Sequence, residues 1–218
     1  MITTIIILFT VLLSIRAFKD NALMSNLIFH PPAVNQGGWH RLFTYGVVHA
    51  DYPHLIFNMF TLSFFGMDIE RVCKSAFGET MGAVCYIILY LSALLVSILP
   101  TYFKNRDNAS YYGLGASGAV CAMIFAYVLI NPMNFMGILF IPVMLPAFLF
   151  GIIFLLISLS LDKKQLGGIN HSAHITGGIY GILYMLVVFR LFAHTNLVNL
   201  FVAQIKIDSL SDLIHIGF

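Results

Sequence analysis

Charge is scarce in this sequence: Lys and Arg together number 11 and Asp and Glu 9 among 218 residues, 9% of the chain. A soluble domain carries about 25% charged residues and about 45–50% apolar ones. Here the apolar share is 60% and the mean hydropathy +0.92. A folded chain of this size has too little interior to hide so much apolar surface from water, so lipid is the solvent for most of it. A net charge of +2, without any Lys/Arg-rich run, argues against a nucleic-acid partner. Cysteine is scarce too. Cys73, Cys85 and Cys121 are odd in number, and two of them sit in apolar runs. They read as small buried hydrophobes, with neither a disulfide framework nor a metal-binding spacing. The first apolar segment has no basic residue ahead of it and no clear small-x-small site after it, so a cleaved signal peptide is not expected there.

What the chain does have is long apolar runs. A helix needs about 20 apolar residues to cross a hydrocarbon core of about 30 Å. Six stretches qualify: 2–18, 45–67, 80–103, 115–131, 137–161 and 171–192. The backbone must satisfy its own hydrogen bonds in lipid, and no barrel-like alternation is present, so the spans are expected to be helices. The first is short, and Arg16 can snorkel from its end. Pro142 and Pro146 each remove a backbone donor and are expected to kink the fifth span. The connection 21–44 is long and polar, carries Pro31, Pro32, Gly37, Gly38 and the single tryptophan Trp39, and should fold at the membrane interface. The tail 193–218 mixes apolar and polar residues and suits the membrane surface.

Charge gives an orientation opposite to the one implied by the family resemblance described below. With both termini inside, the outer connections hold Arg16, Lys19, Arg41, Lys104, Arg106, Lys163 and Lys164, and the inner ones Arg71, Lys74, Arg190 and Lys206. The positive-inside rule asks for the reverse bias.

Polar side chains at the ends of apolar runs are functional candidates. Three groups fall at the starts of even-numbered spans, which run in one direction and so converge at one depth. Ser117 stands where Gly113-Leu114-Gly115-Ala116-Ser117-Gly118 turns from loop to helix. Backbone N–H groups there lack intrahelical partners and, with the helix dipole, would stabilise an oxyanion formed by serine attack. Gly115 and Gly118 would let a substrate backbone approach. Taken alone, G-x-S-G equally describes a loop that starts a helix.

A serine needs a base, and His174 opens the sixth span. Gly177 and Gly181 follow at i+3 and i+7 on its face, and Gly118, Ala122 and Ala126 form a matching small stripe on the fourth span. Small stripes let helices pack closely, which would bring His174 to the level of Ser117. His54 and Asn58, at i and i+4 on the second span, could donate to the oxyanion, whereas His49 reads as a loop-holding residue. His171 sits at i−3 from His174, but no further ligand follows at zinc-like spacing and H-E-x-x-H is absent, so no metal is expected. Asp51 and Asp162 read as loop residues, leaving no aspartate to orient His174, so the pair would act as a dyad.

Together these pieces resemble the rhomboid family of intramembrane serine proteases. The match rests on Gly115-Ala116-Ser117-Gly118, on Ala173-His174-Ile175-Thr176-Gly177-Gly178-Ile179-Tyr180-Gly181 and on His49…His54-Leu55-Ile56-Phe57-Asn58, in order and on the corresponding spans. The resemblance implies an all-α, six-helix membrane bundle over residues 1–192 with a structured first loop and a cavity open toward the outside. It implies Ser117 as nucleophile, His174 as base, and His54, Asn58 and the Ser117 N–H as oxyanion site, without cofactor. Substrates would be single-span membrane proteins entering sideways past the fifth span, under the loop 162–170, in the inner membrane if the source is bacterial. Two positions depart from the family pattern. Trp39-His40-Arg41 moves the first-loop tryptophan by one place, although Arg41 matches, and Cys121 stands where many members carry an aromatic ring against the histidine.

Two other readings are weaker. An inactive relative that binds membrane proteins would be expected to lack the serine or the histidine, and both are present. A transporter would suit histidines and broken helices, but repeats and buried acidic residues are lacking. A bis-histidine haem site would need histidines at mid-membrane depth, and these lie near span ends.

Overall fold

The computed structural model describes residues 1–137, 142–164 and 170–216, and they are overwhelmingly helical. Helix α1 (Ile2–Ala17) shows why lipid is the solvent. Its buried face is Thr3, Thr10 and Ser14, while Ile5, Leu8 and Leu12 are 58–70% exposed. A water-soluble helix would place those residues the other way round. Two of these inward hydroxyls are used: Thr3 Oγ1 donates to Glu70 Oε2 at 2.8 Å and Ser14 Oγ to the Val47 carbonyl at 2.9 Å.

The connection after α1 is built from short helices α2 (Asn21–Leu27), α3 (Pro31–Asn35) and α4 (Arg41–Thr44). Arg41 ties it together, its Nη1 donating to the carbonyls of Ser25 (2.6 Å) and Ile28 (2.8 Å), and Thr44 Oγ1 donates to the Leu27 carbonyl (2.8 Å). Phe29 exchanges backbone hydrogen bonds with Gly113 at 2.8 and 2.9 Å. The loop is thereby pinned to the approach to the fourth apolar helix, with Trp39 left 68% exposed.

The second span, expected over 45–67, is corrected at both ends: Tyr45–Val47 is a 3-10 turn, the helix begins only at Tyr52, and it does not end at Met67. Helix α5 (Tyr52–Thr61) passes through a π turn, Leu62–Gly66, into α6 (Met67–Phe77). Residues from Asp68 to Lys74 are charged on one face and apolar on the other, which extends the helix beyond the apolar run. Glu70, 1% exposed, caps the start of α1 by accepting from the N–H groups of Ile2 and Thr3 at 2.9 Å, and Lys74 pairs with it at 3.2 Å. Burial works against its ionised form, but the Thr3 and Ile2 N–H groups, the Thr3 hydroxyl and the Lys74 ammonium outweigh that, bringing its pKa down to about 2.

Helices α7 (Glu79–Lys104) and α10 (His171–Phe192) are each long and apolar enough to cross a membrane. Three apolar helices are shorter: α1, α8 (Ser117–Ile130) and the apolar part of α9 (Ala147–Lys164). Helix α8 is the centre of the bundle, packed between α10 and α7. Tyr180 and Tyr184 fasten α10 to α7 through Ser92 Oγ (2.7 Å) and the Cys85 carbonyl (2.8 Å).

The fifth apolar stretch, expected as a helix over 137–161, is corrected by the structure. Strands β1 (Phe135–Gly137) and β2 (Val143–Pro146) form an antiparallel pair, and the helix begins only at Ala147. Pro142 and Pro146 therefore stand ahead of α9 and do not kink it. A proline disfavours helix in the residue before it, so Pro146 keeps Leu145 extended, in β2. Asp162 lies within α9 and not in a loop. Most of the expected loop 162–170 lies outside the described residues. The tail folds back: α11 (Leu197–Gln204) packs on α8 and α10, and β3 (His215–Ile216) pairs with β2.

Candidate active site

Three helix starts meet at one end of the bundle. Ser117 is the first residue of α8, and no side chain caps that end. The N–H groups of its first turn point toward the space beside the serine, where the helix dipole favours negative charge. The residue ahead of this turn has to be glycine. Gly115 adopts φ +102°, and a Cβ there would lie 2.7 Å from His54 Cε1 and 2.8 Å from its Nε2. Its N–H donates to the Tyr45 carbonyl at 2.8 Å, so the first connection fixes the loop that presents Ser117.

His174 lies in the first turn of α10, and its Nε2 is 2.7 Å from Ser117 Oγ. The serine is the donor in this pair when Nε2 carries no proton, which is the state a base requires. The approach depends on glycines. A Cβ at Gly177 would collide with the Gly118 carbonyl, and one at Gly181 with the Ala122 carbonyl. Gly118 was expected to admit a substrate backbone, but its missing side chain serves packing instead. A Cβ there would land on Ser97, itself fully buried beside the Tyr45 hydroxyl. The start of α10 is anchored by Asn170, whose Oδ1 accepts from the Ala173 N–H and from Thr101 Oγ1, both at 3.0 Å.

His54 is in the first turn of α5, which Asp51 caps by accepting the His54 N–H at 2.7 Å. The Ala50 N–H points at His54 Nδ1 from 3.5 Å, a long contact that favours the tautomer with its proton on Nε2, the edge facing Gly115. Asn58 is buried, with Nδ2 giving one proton to the His54 carbonyl (2.9 Å) and its second N–H unused among the described residues. His49 is fully buried, with Nδ1 3.1 Å from Ser14 Oγ. That hydroxyl gives its own proton to Val47, so His49 Nδ1–H donates to it and ties the loop to α1. Arg41 holds the first loop and does not reach the serine.

An apolar groove of about 500 Å³ is lined by the α5–α6 helix, α8, β1 and α9. Phe57, Phe60 and Phe64 form one wall and Phe150 and Phe154 the other, with Asp68 lining it ten residues along from Asn58. Asp68 is paired with Arg71 at 2.6 Å. Among the described residues no cluster of His, Cys, Asp and Glu could hold a metal ion. Sequence reasoning missed Asn170, Ser97 and Phe154. Asn170 carried a readable signal, an asparagine three residues before Ala173 at a helix start, whereas the other two act through tertiary contacts.

A rhomboid domain matches residues 36–191. The chain is 31% identical over 170 residues to the RHOMBOID-like protein 12, mitochondrial, of Arabidopsis thaliana, covering 74% of this chain and 50% of that protein. To the rhomboid protease AarA of Providencia stuartii it is 29% identical over 214 residues, 88% of this chain and 72% of that protein. To the putative rhomboid protease YdcA of Bacillus subtilis it is 26% identical over 115 residues, 53% of this chain. It spans about half the length of the Arabidopsis and Bacillus relatives. With the match extending over most of its length, the chain belongs to the rhomboid family, whose members are integral membrane proteins.

Proposed function

We propose that the protein is a multi-pass intramembrane serine protease that hydrolyses peptide bonds in or near the membrane-spanning segment of single-span proteins. In this reading six helices cross the bilayer, α9 serving as the fifth despite its late start, and the active site faces the outer side. The observation that carries the reading is the 2.7 Å separation of His174 Nε2 and Ser117 Oγ, at an uncapped helix start.

The chemistry follows from the geometry. Ser117 Oγ attacks the scissile carbonyl carbon while its proton passes to His174 Nε2, a general-base contribution of about 10²–10⁴ in rate. The carbonyl oxygen becomes an oxyanion beside His54 Nε2–H, the second N–H of Asn58 and the backbone N–H of Ser117. Each well-placed donor of this kind contributes about 10²–10³ in rate. Collapse of the tetrahedral species breaks the C–N bond, and the imidazolium returns its proton to the departing amine. Water then attacks the acyl-serine by the same route and frees the enzyme. A substrate helix would enter from lipid along the phenylalanine-lined groove, whose wall residue Phe154 has its ring 6.4 Å from that of His174.

The test is covalent labelling of the purified protein by a fluorophosphonate, which needs an activated serine but no known substrate. Labelling at Ser117 that disappears in both Ser117→Ala and His174→Ala is the expected result. A folded wild-type protein that takes no label would contradict the proposal.

A further inference from the structure

We propose that Phe154 is the positioning residue for His174, so that the catalytic base is held by the same ring that lines the substrate groove; this rests on the dyad reading above. Among the described residues, the His174 imidazole has one hydrogen bond, the one to Ser117. A single bond fixes the distance of Nε2 but leaves the ring free to rock about it, so its plane must be set by packing. Two rings are close enough to do so. His171, on the same helix, stands edge-on at 6.0 Å and 80°. Phe154, from α9, lies at 6.4 Å and 32°, the more nearly parallel of the two. Cys121, one turn after Ser117 on α8, is a small buried thiol and supplies no ring.

Phe154 is itself supported from behind. Phe125 of α8 stands 5.9 Å from it, in space that Gly178 leaves open on α10, where a Cβ would come within 2.7 Å of the Phe125 ring. The chain Gly178, Phe125, Phe154, His174 thus runs from one catalytic helix through the other and back to the base. The outer side of Phe154 is a wall of the groove. A helix lying in the groove would press this ring toward His174 and limit its rocking, whereas an empty groove leaves it one wall short of full packing. Occupancy of the groove is therefore felt at the Ser117–His174 hydrogen bond. Misplacing a reacting group by about 1 Å costs up to about 10²-fold in rate.

The experiment measures the rate of fluorophosphonate labelling of the full-length protein in detergent, because the small probe does not depend on the groove for binding. Phe154→Leu keeps apolar bulk and removes the ring, and is expected to slow labelling by about 10-fold to 10²-fold while the melting temperature changes little. Phe154→Tyr restores the ring and should recover most of the rate. Leu156→Ala, on the face of α9 where Leu156 is 62% exposed, should leave it unchanged. Phe154→Met repeats the ring deletion with a flexible filler, so the outcome does not hang on how one variant packs. Labelling at the wild-type rate in either ring-deleted variant overturns the positioning role. Labelling that survives Ser117→Ala overturns the dyad, and this proposal with it.

Discussion

Adding one carbon atom at Gly177 should separate the two helices that carry Ser117 and His174. The structure puts a Cβ at this position far inside contact distance of the Gly118 carbonyl, and that carbonyl belongs to helix backbone that no rotamer change can move. Non-bonded contacts relax to about 3.5 Å, so α8 and α10 would have to part by about 1 Å. Overpacking of this kind costs about 1–3 kcal/mol. The functional loss should be larger, because Gly118 adjoins Ser117 and Gly177 is one turn from His174. An opening of about 1 Å stretches the 2.7 Å Nε2–Oγ bond past useful hydrogen-bonding length and should lower the labelling rate by about 10²-fold. Gly178→Ala is the informative comparison, since its Cβ would meet the Phe125 ring and not backbone. It should cost less in both melting and labelling. The assay is fluorophosphonate labelling alongside thermal melting in detergent. A Gly177→Ala protein with wild-type melting and labelling would refute the claim that this contact sets the site.

Other perturbations probe separate parts of the account. Gly115→Ala combines a φ of +102° with a methyl on the His54 ring, and should reduce labelling by at least about 10²-fold with a smaller effect on melting. His54→Ala should lower turnover of a cleavable substrate by about 10²–10³ if its Nε2–H meets the oxyanion; an unchanged rate would return it to a structural role. Glu70→Gln removes the charge that caps α1 and pairs with Lys74, at an expected cost of about 1–3 kcal/mol in melting at neutral pH. Because the folded-state pKa of Glu70 lies below its ordinary value, its contribution is complete above about pH 4.5 and is lost as pH falls toward about 2. The difference in melting between wild type and Glu70→Gln should shrink through that window, and a difference that stays constant would contradict the assignment.

Much of this molecule could be read from the sequence, and the parts that could not share a physical reason. Helix α10 begins at His171 and ends at Phe192, as the apolar run suggests, because Asn170 and Ala193 punctuate it clearly. Helix α8 is one or two residues shorter at each end than the apolar run that suggested it. The glycines at 177 and 181 pointed to a close approach, and the structure puts the Gly118 and Ala122 carbonyls against them. The strands Phe135–Gly137 and Val143–Pro146 were hidden because an apolar run of Met, Leu, Ile, Val and Phe suits strand and helix equally. The π turn at Leu62–Gly66 leaves no mark in the hydropathy pattern. The same limit applies within the site. Gly118 looked open to substrate in one dimension, but its neighbours on α7 and α10 are 20 or more residues away in sequence. Phe154 is one of 20 phenylalanines, and only the packing of α9 singles it out.

The most direct test of the central claim is cleavage in lipid. Wild-type protein, Ser117→Ala and His174→Ala would each be reconstituted into vesicles with a single-span model substrate, and products identified by mass spectrometry. The account predicts one or a few cuts in or near the substrate's membrane-spanning segment by the wild type, and none by either variant. Cleavage that persists in reconstituted Ser117→Ala would contradict it.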